Sequence, residues 1–164
     1  MTEAVGDALG NAGGDPAAGT VVGQPASQAG ETKGKIEGNL RREAAWGLLR
    51  ARALTLLPAK IYTKALGRLG RDEPAACSDA DRLLARAIGE AVAAAAARSP
   101  FRAACLEQVI AARRMLRRRG LSGTISLGIA RQGDLAAHAW LTAGGEVISG
   151  QAPLDDFAVI GRFG

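Results

Sequence analysis

The sequence predicts an α+β fold, in which helices come first and a short antiparallel sheet follows them. Up to Gly120, apolar residues recur at steps of three and four, which is the spacing of amphipathic helices. After Gly120, short apolar runs are separated by glycine-containing turns, which is typical of strands. The helical and strand-like segments are grouped rather than alternating, so this order favours α+β over a parallel sheet.

The first 38 of the 164 residues show neither pattern. They are rich in Gly, Ala, Ser, Thr and Gln, a composition that buries too little surface to offset chain entropy, and we predict a disordered tail over 1–38. Five acidic residues against two lysines give this tail a charge of −3. Since the whole chain carries +5, the remainder carries +8, and its basic surface could meet nucleic acid, an anionic membrane or an acidic peptide.

Residues 39–98 are predicted to form a helical lead-in. The stripe of the first helix repeats every four residues, at Leu40, Ala44, Leu48, Arg52 and Leu56. Pro58 either ends this helix or starts a second, short one, which Gly70 closes. These two helices either pack their apolar faces on the domain or present their Arg and Lys face to a membrane or a partner.

Two further helices are expected before the sheet. The third is capped by Ser78 or Asp79 and runs to about Arg98, with an alanine run that predicts close packing against a neighbour. The fourth starts with Ser99 as its N-cap and Pro100 as its first residue, and Gly120 closes it.

The residues beyond Gly120 are predicted to form three or four strands. The turns between them are expected at Gly133-Asp134 and Gly144-Gly145. The strand segments are TISLGIARQ, AAHAWLTA, EVISG and FAVIGRF.

Cys105 and His138 are the candidate catalytic residues. Cys105 lies near the start of the fourth helix, where free N–H groups and the helix dipole favour a thiolate. His138, the single histidine, lies on a predicted strand 33 residues later and can act as a base. A cysteine in an Ala-rich helix can equally be a small core residue, and the histidine a half-buried strand residue. On spacing alone, these packing roles are favoured over catalysis.

Three segments of the chain carry a family resemblance: SPFRAACLEQVIAARRMLRRRG, TISLGIA and AAHAWLTAGGEVISG. Together they resemble the transglutaminase-like domain of lasso-peptide biosynthesis B proteins, the family of the microcin-processing leader peptidase. The matching elements are Pro-Phe-Arg before Cys-Leu, a helix ending in Arg-Arg-Arg-Gly, a Leu-Gly-Ile strand, and His-Ala-Trp. The resemblance extends back to about residue 40, through a stretch similar to the helical lead-in of the stand-alone form. It implies a transglutaminase-like (papain-like) core over 99–164, in which the Cys-bearing helix packs on the short antiparallel sheet.

The resemblance implies a cysteine peptidase that removes the leader from a ribosomally synthesised precursor peptide. Cys105 is then the nucleophile, and His138 the general base and later the acid. The family needs no metal or cofactor. A separate protein recognises the leader peptide, and an ATP-dependent cyclase, a further candidate partner, closes the ring.

The chain departs from the family in the third catalytic group, an Asp about twelve residues after the histidine. If Ala143-Gly144-Gly145 is the turn, Thr142 faces Glu146 and the residue opposite His138 is Gly150, which has no side chain. The orienting group is therefore missing or supplied differently. This leaves two alternatives open: a transglutaminase-like binding or scaffold protein with weakened catalysis, or an amidase or acyl transferase that uses the same two residues.

Four other features have simpler interpretations. Cys77 is incidental, since no paired Cys/His spacing indicates a metal site. Gln108 either supports the site or is a polar residue on the helix, and Trp140 is expected to pack beside the site. The arginines of RRMLRRRG form a solvated helix end, or else they hold an acidic leader or partner.

The sequence also indicates where the protein acts. The N-terminus lacks the basic start and apolar run of a signal peptide, and no apolar stretch reaches the length of a bilayer crossing. We therefore expect a cytoplasmic protein without membrane contact. No P-loop, dinucleotide fingerprint or basic-aromatic pattern is present, and nucleic acid is not an expected partner.

Overall fold

The computed structural model describes residues 26–70, 77–132 and 134–164, and it confirms the α+β class. Four helices precede a four-stranded antiparallel sheet, and a 3₁₀ turn at Leu154–Asp156 leads into the last strand. The helices are α1 (Ala26–Thr55), α2 (Ala59–Leu66), α3 (Asp79–Ala97) and α4 (Cys105–Arg117). The strands are β1 (Thr124–Gln132), β2 (Asp134–Ala143), β3 (Glu146–Ser149) and β4 (Ala158–Phe163). Within these residues, no helix combines the length and hydropathy that a bilayer crossing requires.

Two boundaries of the first helices differ from the sequence prediction. α1 begins at Ala26 rather than at residue 39, and residues 1–25 of the predicted tail lie outside the described residues. Residues 34–37 of α1 are exposed, including Ile36 (53%), so this part of the helix carries no buried stripe that could indicate it. α2 ends at Gly67 rather than Gly70, because Gly67 has φ 105° and leaves no space for a side chain beside the Arg113 guanidinium.

The predicted limits of α3 are confirmed. Ser78 is its N-cap: the hydroxyl accepts from the Asp81 N–H, and the Asp81 carboxylate accepts from the Ser78 N–H. The predicted tight packing also holds, because a Cβ on Gly89 would overlap the carbonyl of Ile148 in β3.

The predicted start of α4 was wrong. The helix begins at Cys105, not at Ser99-Pro100, and its N-cap is Ala104. The Ser99 hydroxyl accepts instead from the Phe101 N–H, which makes a local turn before the helix. The predicted end of α4 is confirmed. Gly120 has φ 72°, and the next N–H, of Leu121, donates to the carbonyl of Leu116, as in a Schellman closure.

The strand order in the sheet is β3-β2-β1-β4. Gly144 and Gly145 form a two-residue turn, with φ 59° and 85°, so that Ala143 pairs with Glu146. The predicted three-residue turn, with Thr142 opposite Glu146, was wrong. Gly144 and Gly145 both have positive φ, and these two residues alone reverse the direction of the chain. Of the other expected turn, Gly133 lies outside the described residues.

One continuous core joins the helices to the sheet. α4 lies between α1 and β2, and α3 packs against α1, α4 and β3. Buried residues come from both sides of residue 98, so the predicted lead-in (39–98) and the predicted core (99–164) share one interior. The largest fully buried side chains are Leu48, Leu66, Ile88, Val92, Val109, Met115, Leu116, Ile125 and Leu141.

The arginines near the end of α4 have three different environments. Arg113 is buried and donates to the carbonyls of Leu66 (2.7 Å) and Gly123 (3.3 Å), so it is not part of a solvated helix end. Arg118 and Arg119 bind Glu43 of α1 at 3.0 and 2.8 Å. The remaining two, Arg114 and Arg117, are exposed, as predicted.

The ion pairs of Glu43 predict a pH-dependent stability. The hydrogen bond from Arg119, with a smaller contribution from Arg118, holds the pKa of Glu43 below its ordinary value of 4.5. A depressed pKa stabilises the fold above the ordinary value, and this stabilisation is lost as the pH falls through the folded-state pKa. Glu43→Gln should therefore lower the free energy of unfolding by about 1 kcal/mol at pH 7.

Urea unfolding at neutral and at acidic pH measures this difference. The control is Glu37→Gln, an exposed acid on the same helix that has no ion pair with a described residue. The Glu43→Gln difference should shrink in acid, and a loss of the same size at every pH would contradict the account.

Candidate functional site

Cys105 is the first residue of α4, so its thiol lies at the positive end of the helix dipole. The N–H groups of the first turn of a helix have no partner within the helix and point toward such a group. The side chain is half-buried, and Cys105 and Cys77 are both free thiols. The Cys105 thiol therefore lies next to the free N–H groups of the first turn of α4.

A buried carboxylate fixes the start of α4. Glu107 is 2% exposed and accepts three hydrogen bonds: from Arg52 Nη1 (3.0 Å), from Thr55 Oγ1 (3.1 Å) and from the Ala104 N–H. The bond to Ala104 is the reach-back half of a capping box, and the other two bonds come from α1. Glu107 thereby ties the end of α1 to Ala104, the residue before Cys105.

Gln108 supports the same region, which decides between its two predicted roles. Its side-chain amide donates to the carbonyl of Ala103 at 3.0 Å. The loop that leads into Cys105 is therefore held from two successive residues of the first helical turn, Glu107 and Gln108.

His138 lies on β2, opposite Gly128 of β1, and its ring is half-buried. The ring contacts Trp140 with centroids 6.3 Å apart and Phe157 with centroids 5.2 Å apart. A Cβ on Gly128 would come within about 3.0 Å of both aromatic residues. The glycine of the Leu-Gly-Ile strand therefore makes room for the two side chains that flank the imidazole, and Trp140 packs beside the site as predicted.

The third group at the site is a backbone carbonyl. His138 Nε2 lies 2.9 Å from the Gly150 carbonyl oxygen. A carbonyl can only accept, so Nε2 carries the proton and donates it. In the neutral ring Nδ1 then holds the lone pair, which makes it the atom that can act as a base. The orienting function expected of an Asp is thus supplied by the main chain.

Gly150 can hold this position only as glycine. The pairing of β2 and β3 shifts by one residue between Leu141 and Thr142, and it ends at Ser149. Gly150 follows with φ 77°. A Cβ there would overlap the carbonyl of Ala139 and lie 2.9 Å from Trp140 Cα. The predicted pairing of Gly150 with His138 was wrong, because the register places Gly150 against Ala139 and Trp140. Its carbonyl nevertheless reaches His138, a contact that the sequence could not indicate, since backbone groups leave no residue signal beyond the glycine itself.

The nearby carboxylates have other positions. Glu146 forms two hydrogen bonds with Arg86 of α3, both 2.6 Å, and the bond from Arg86 lowers the pKa of Glu146. Asp155 and Asp156 are exposed on the 3₁₀ turn. No carboxylate among the described residues contacts His138, and no three His, Cys, Asp or Glu side chains there are grouped as metal ligands.

Cys105 and His138 line one cavity of about 200 Å³. Three larger cavities among the described residues contain neither of them. Most of the wall is apolar and comes from five elements (α2, α4, β1, β2 and β4), so α2 of the helical lead-in takes part in the cavity. The other lining residues are Tyr62, Leu66, Leu106, Leu127, Gly128, Ala137, Ala139 and Ile160.

Fold and site together define a class of protein: an α+β domain in which a cysteine at a helix start and a histidine on an antiparallel sheet share a cavity, as in papain-like enzymes. A model of the transglutaminase-like superfamily matches residues 48–162, from within α1 to within β4. The match covers more than half of the 164 residues, and the chain belongs to the transglutaminase-like superfamily. No curated protein and no solved structure matches it.

The Gly150 carbonyl can be tested with a matched pair of glycines. Gly150→Ala should lower the free energy of unfolding by about 1–3 kcal/mol from the positive φ and should also displace the carbonyl from His138. Gly145 has φ 85°, but a Cβ there meets nothing within 4 Å, so Gly145→Ala carries the backbone strain alone.

Thermal unfolding and the alkylation rate of Cys105 by iodoacetamide separate the two effects. We expect both variants to unfold at a lower temperature than the wild type. Only Gly150→Ala should also show slower alkylation of Cys105. An unchanged rate in Gly150→Ala would refute the orienting role of the carbonyl.

Proposed function

We propose that the protein is a cysteine peptidase that removes the leader from a ribosomally synthesised precursor peptide, as in lasso-peptide maturation. The observation that carries this proposal is the shared cavity of Cys105 and His138, with His138 Nε2 bonded to the Gly150 carbonyl. The thiol lies at a helix start and the imidazole presents Nδ1 as its basic nitrogen, which is the pairing that nucleophilic catalysis by cysteine needs.

The proposed reaction proceeds through a thioester. Nδ1 of His138 takes the proton of the Cys105 thiol, and the sulfur attacks the scissile carbonyl carbon. The N–H groups at the start of α4 stabilise the negative oxygen of the tetrahedral intermediate. The C–N bond then breaks as His138 returns the proton to the leaving amine. Water, deprotonated by His138, hydrolyses the thioester and frees the thiol.

A carbonyl in place of a carboxylate can fix the tautomer of the histidine, but it cannot stabilise the imidazolium with a negative charge. In a serine-protease triad, replacing the Asp by Asn lowers kcat by about 10⁴, because the amide imposes the wrong histidine tautomer. The Gly150 carbonyl imposes the right one, since it only accepts. It has no full negative charge to stabilise the imidazolium, so we expect slower turnover than with an Asp but a functional base.

The proposed partners follow from the family resemblance. A separate recognition protein presents the leader peptide, and an ATP-dependent cyclase acts on the released core. All of these act in the cytoplasm. The apolar wall of the Cys105–His138 cavity supports a substrate with an apolar side chain next to the scissile bond.

The direct test combines the protein with its proposed partners, a precursor peptide and a separate leader-recognition protein. Wild type should remove the leader, and Cys105→Ala should abolish removal, whereas Cys77→Ala, which changes the other free and half-buried thiol, should retain it. Mass spectrometry of the peptide products gives the rates. Leader removal by Cys105→Ala at the wild-type rate would exclude Cys105 as the nucleophile.

A binding or scaffold protein with weakened catalysis is the second candidate, and the uncharged orienting group favours it. Iodoacetamide labelling discriminates, with Cys77 as the internal reference. A catalytic thiol should react on the order of tenfold faster than Cys77, and His138→Ala should remove the difference. Equal and slow labelling of both cysteines favours the scaffold. An amidase or acyl transferase would use the same two residues and would differ only in its products.

A further inference from the structure

A second concave surface lies between α1 and α4, and we call it the basic groove. Its volume is about 770 Å³, within the range of about 300–1,000 Å³ typical of ligand sites. Its floor is made of small and aliphatic side chains, and its rim is cationic. The lining residues are Gly47, Arg50, Ala51, Leu54, Lys64, Ile110, Ala111, Arg113, Arg114, Arg117 and Arg118.

The cations of the basic groove divide into structural and available ones. Arg113 is buried and bonded to backbone carbonyls, and Arg118 is paired with Glu43. The other four are exposed and have no ion pair with any described residue: Arg50, Lys64, Arg114 and Arg117. No acidic side chain is among the described residues that line the groove. Four like charges around one concavity repel one another, so a bound anion stabilises them.

The lining favours a peptide over a nucleic acid. Single-stranded nucleic acids use aromatic side chains on which bases stack, and no aromatic residue is among the described lining residues. The aliphatic floor, with Leu54 and Ile110, instead fits apolar side chains between acidic ones. Gly47 and Ala111 keep the two helices close, which gives the groove this narrow floor.

The basic groove lies within a short peptide's reach of Cys105. Arg113 and Arg117 are eight and twelve residues beyond Cys105 on α4, which is about 12 and 18 Å along the helix. An extended peptide needs at least about four to six residues for this axial distance, and more to pass around the helix. α2 borders both places, since Tyr62 and Leu66 line the catalytic cavity and Lys64 lines the groove.

We propose that the basic groove binds an acidic segment of the peptide substrate, at least about four to six residues from the scissile bond. This rests on the proposed peptidase function and names the substrate class: a peptide with several Glu or Asp side chains spaced by apolar ones. The segment anchors the chain by charge and by its apolar side chains, while Cys105 and His138 act on the bond beyond α2.

Binding can be measured without turnover on the full chain with Cys105→Ala. The probes are two fluorescein-labelled synthetic peptides of equal length, one with Glu spaced by Leu and Ala, the other with Gln in place of each Glu. Fluorescence anisotropy should show the Glu peptide binding at least about tenfold more tightly than the Gln peptide, and less tightly at 0.15 M than at about 0.05 M salt.

A charge-matched pair of double variants locates the site. Arg114→Glu with Arg117→Glu should weaken binding of the Glu peptide at least about tenfold. Arg41→Glu with Arg42→Glu makes the same charge change on an exposed part of α1 outside the groove and should stay within about twofold of the parent. If charge reversal unfolds α4, Arg114→Gln with Arg117→Gln gives the same comparison with a smaller loss.

Equal binding of both peptides, or an equal loss in both double variants, would overturn the proposal. So would a single-stranded oligonucleotide that binds more tightly than the Glu peptide and depends on Arg114 and Arg117. The outcome is separable from the peptidase test. Leader removal without Glu-peptide binding refutes the groove alone, and groove binding with an inert Cys105 refutes the peptidase alone.

Discussion

Glu107 is the residue on which the geometry around Cys105 depends. A carboxylate that is 2% exposed is costly unless its oxygens are bonded, and here Arg52, Thr55 and the Ala104 N–H bond them. Hydrogen bonds to a charged group contribute about 1.5–3 kcal/mol each. Two of the donors belong to α1, so the helical lead-in fixes the position of Cys105 and is part of the site. The family match, which begins at residue 48 within α1, is consistent with this.

His138 is positioned by glycines rather than by an acid. Gly128 leaves space for Trp140 and Phe157 beside the imidazole, and Gly150 brings its carbonyl to Nε2 of His138. Both positions exclude a side chain for steric reasons, and neither supplies a charge. The site therefore retains the tautomer that a Cys–His pair requires while it gives up the electrostatic help of a third carboxylate. Substrate binding in the basic groove would offset part of that loss by holding the scissile bond in place.

The sequence predicted what depends on local chemistry and missed what depends on distant contacts. The cap at Ser78, the closure at Gly120 and the strands were found because each has a local signal. The start of α4 was missed, since it is set by Glu107 meeting α1 rather than by a cap at Ser99. The burial of Arg113 was missed for the same reason: its acceptors are carbonyls of Leu66 and Gly123. A one-residue difference in the turn changed the hairpin register, and the orienting carbonyl left no signal except its glycine.

The tautomer of His138 tests the central claim most directly, and the chain has a single histidine. Incorporating ¹⁵N-labelled histidine gives one imidazole in a long-range ¹H–¹⁵N spectrum, free of overlap. Above the pH at which the ring is protonated, the account predicts a protonated Nε2 and an unprotonated Nδ1, as the bond to the Gly150 carbonyl requires. A ring protonated at Nδ1, or one that exchanges freely between both forms, would contradict it.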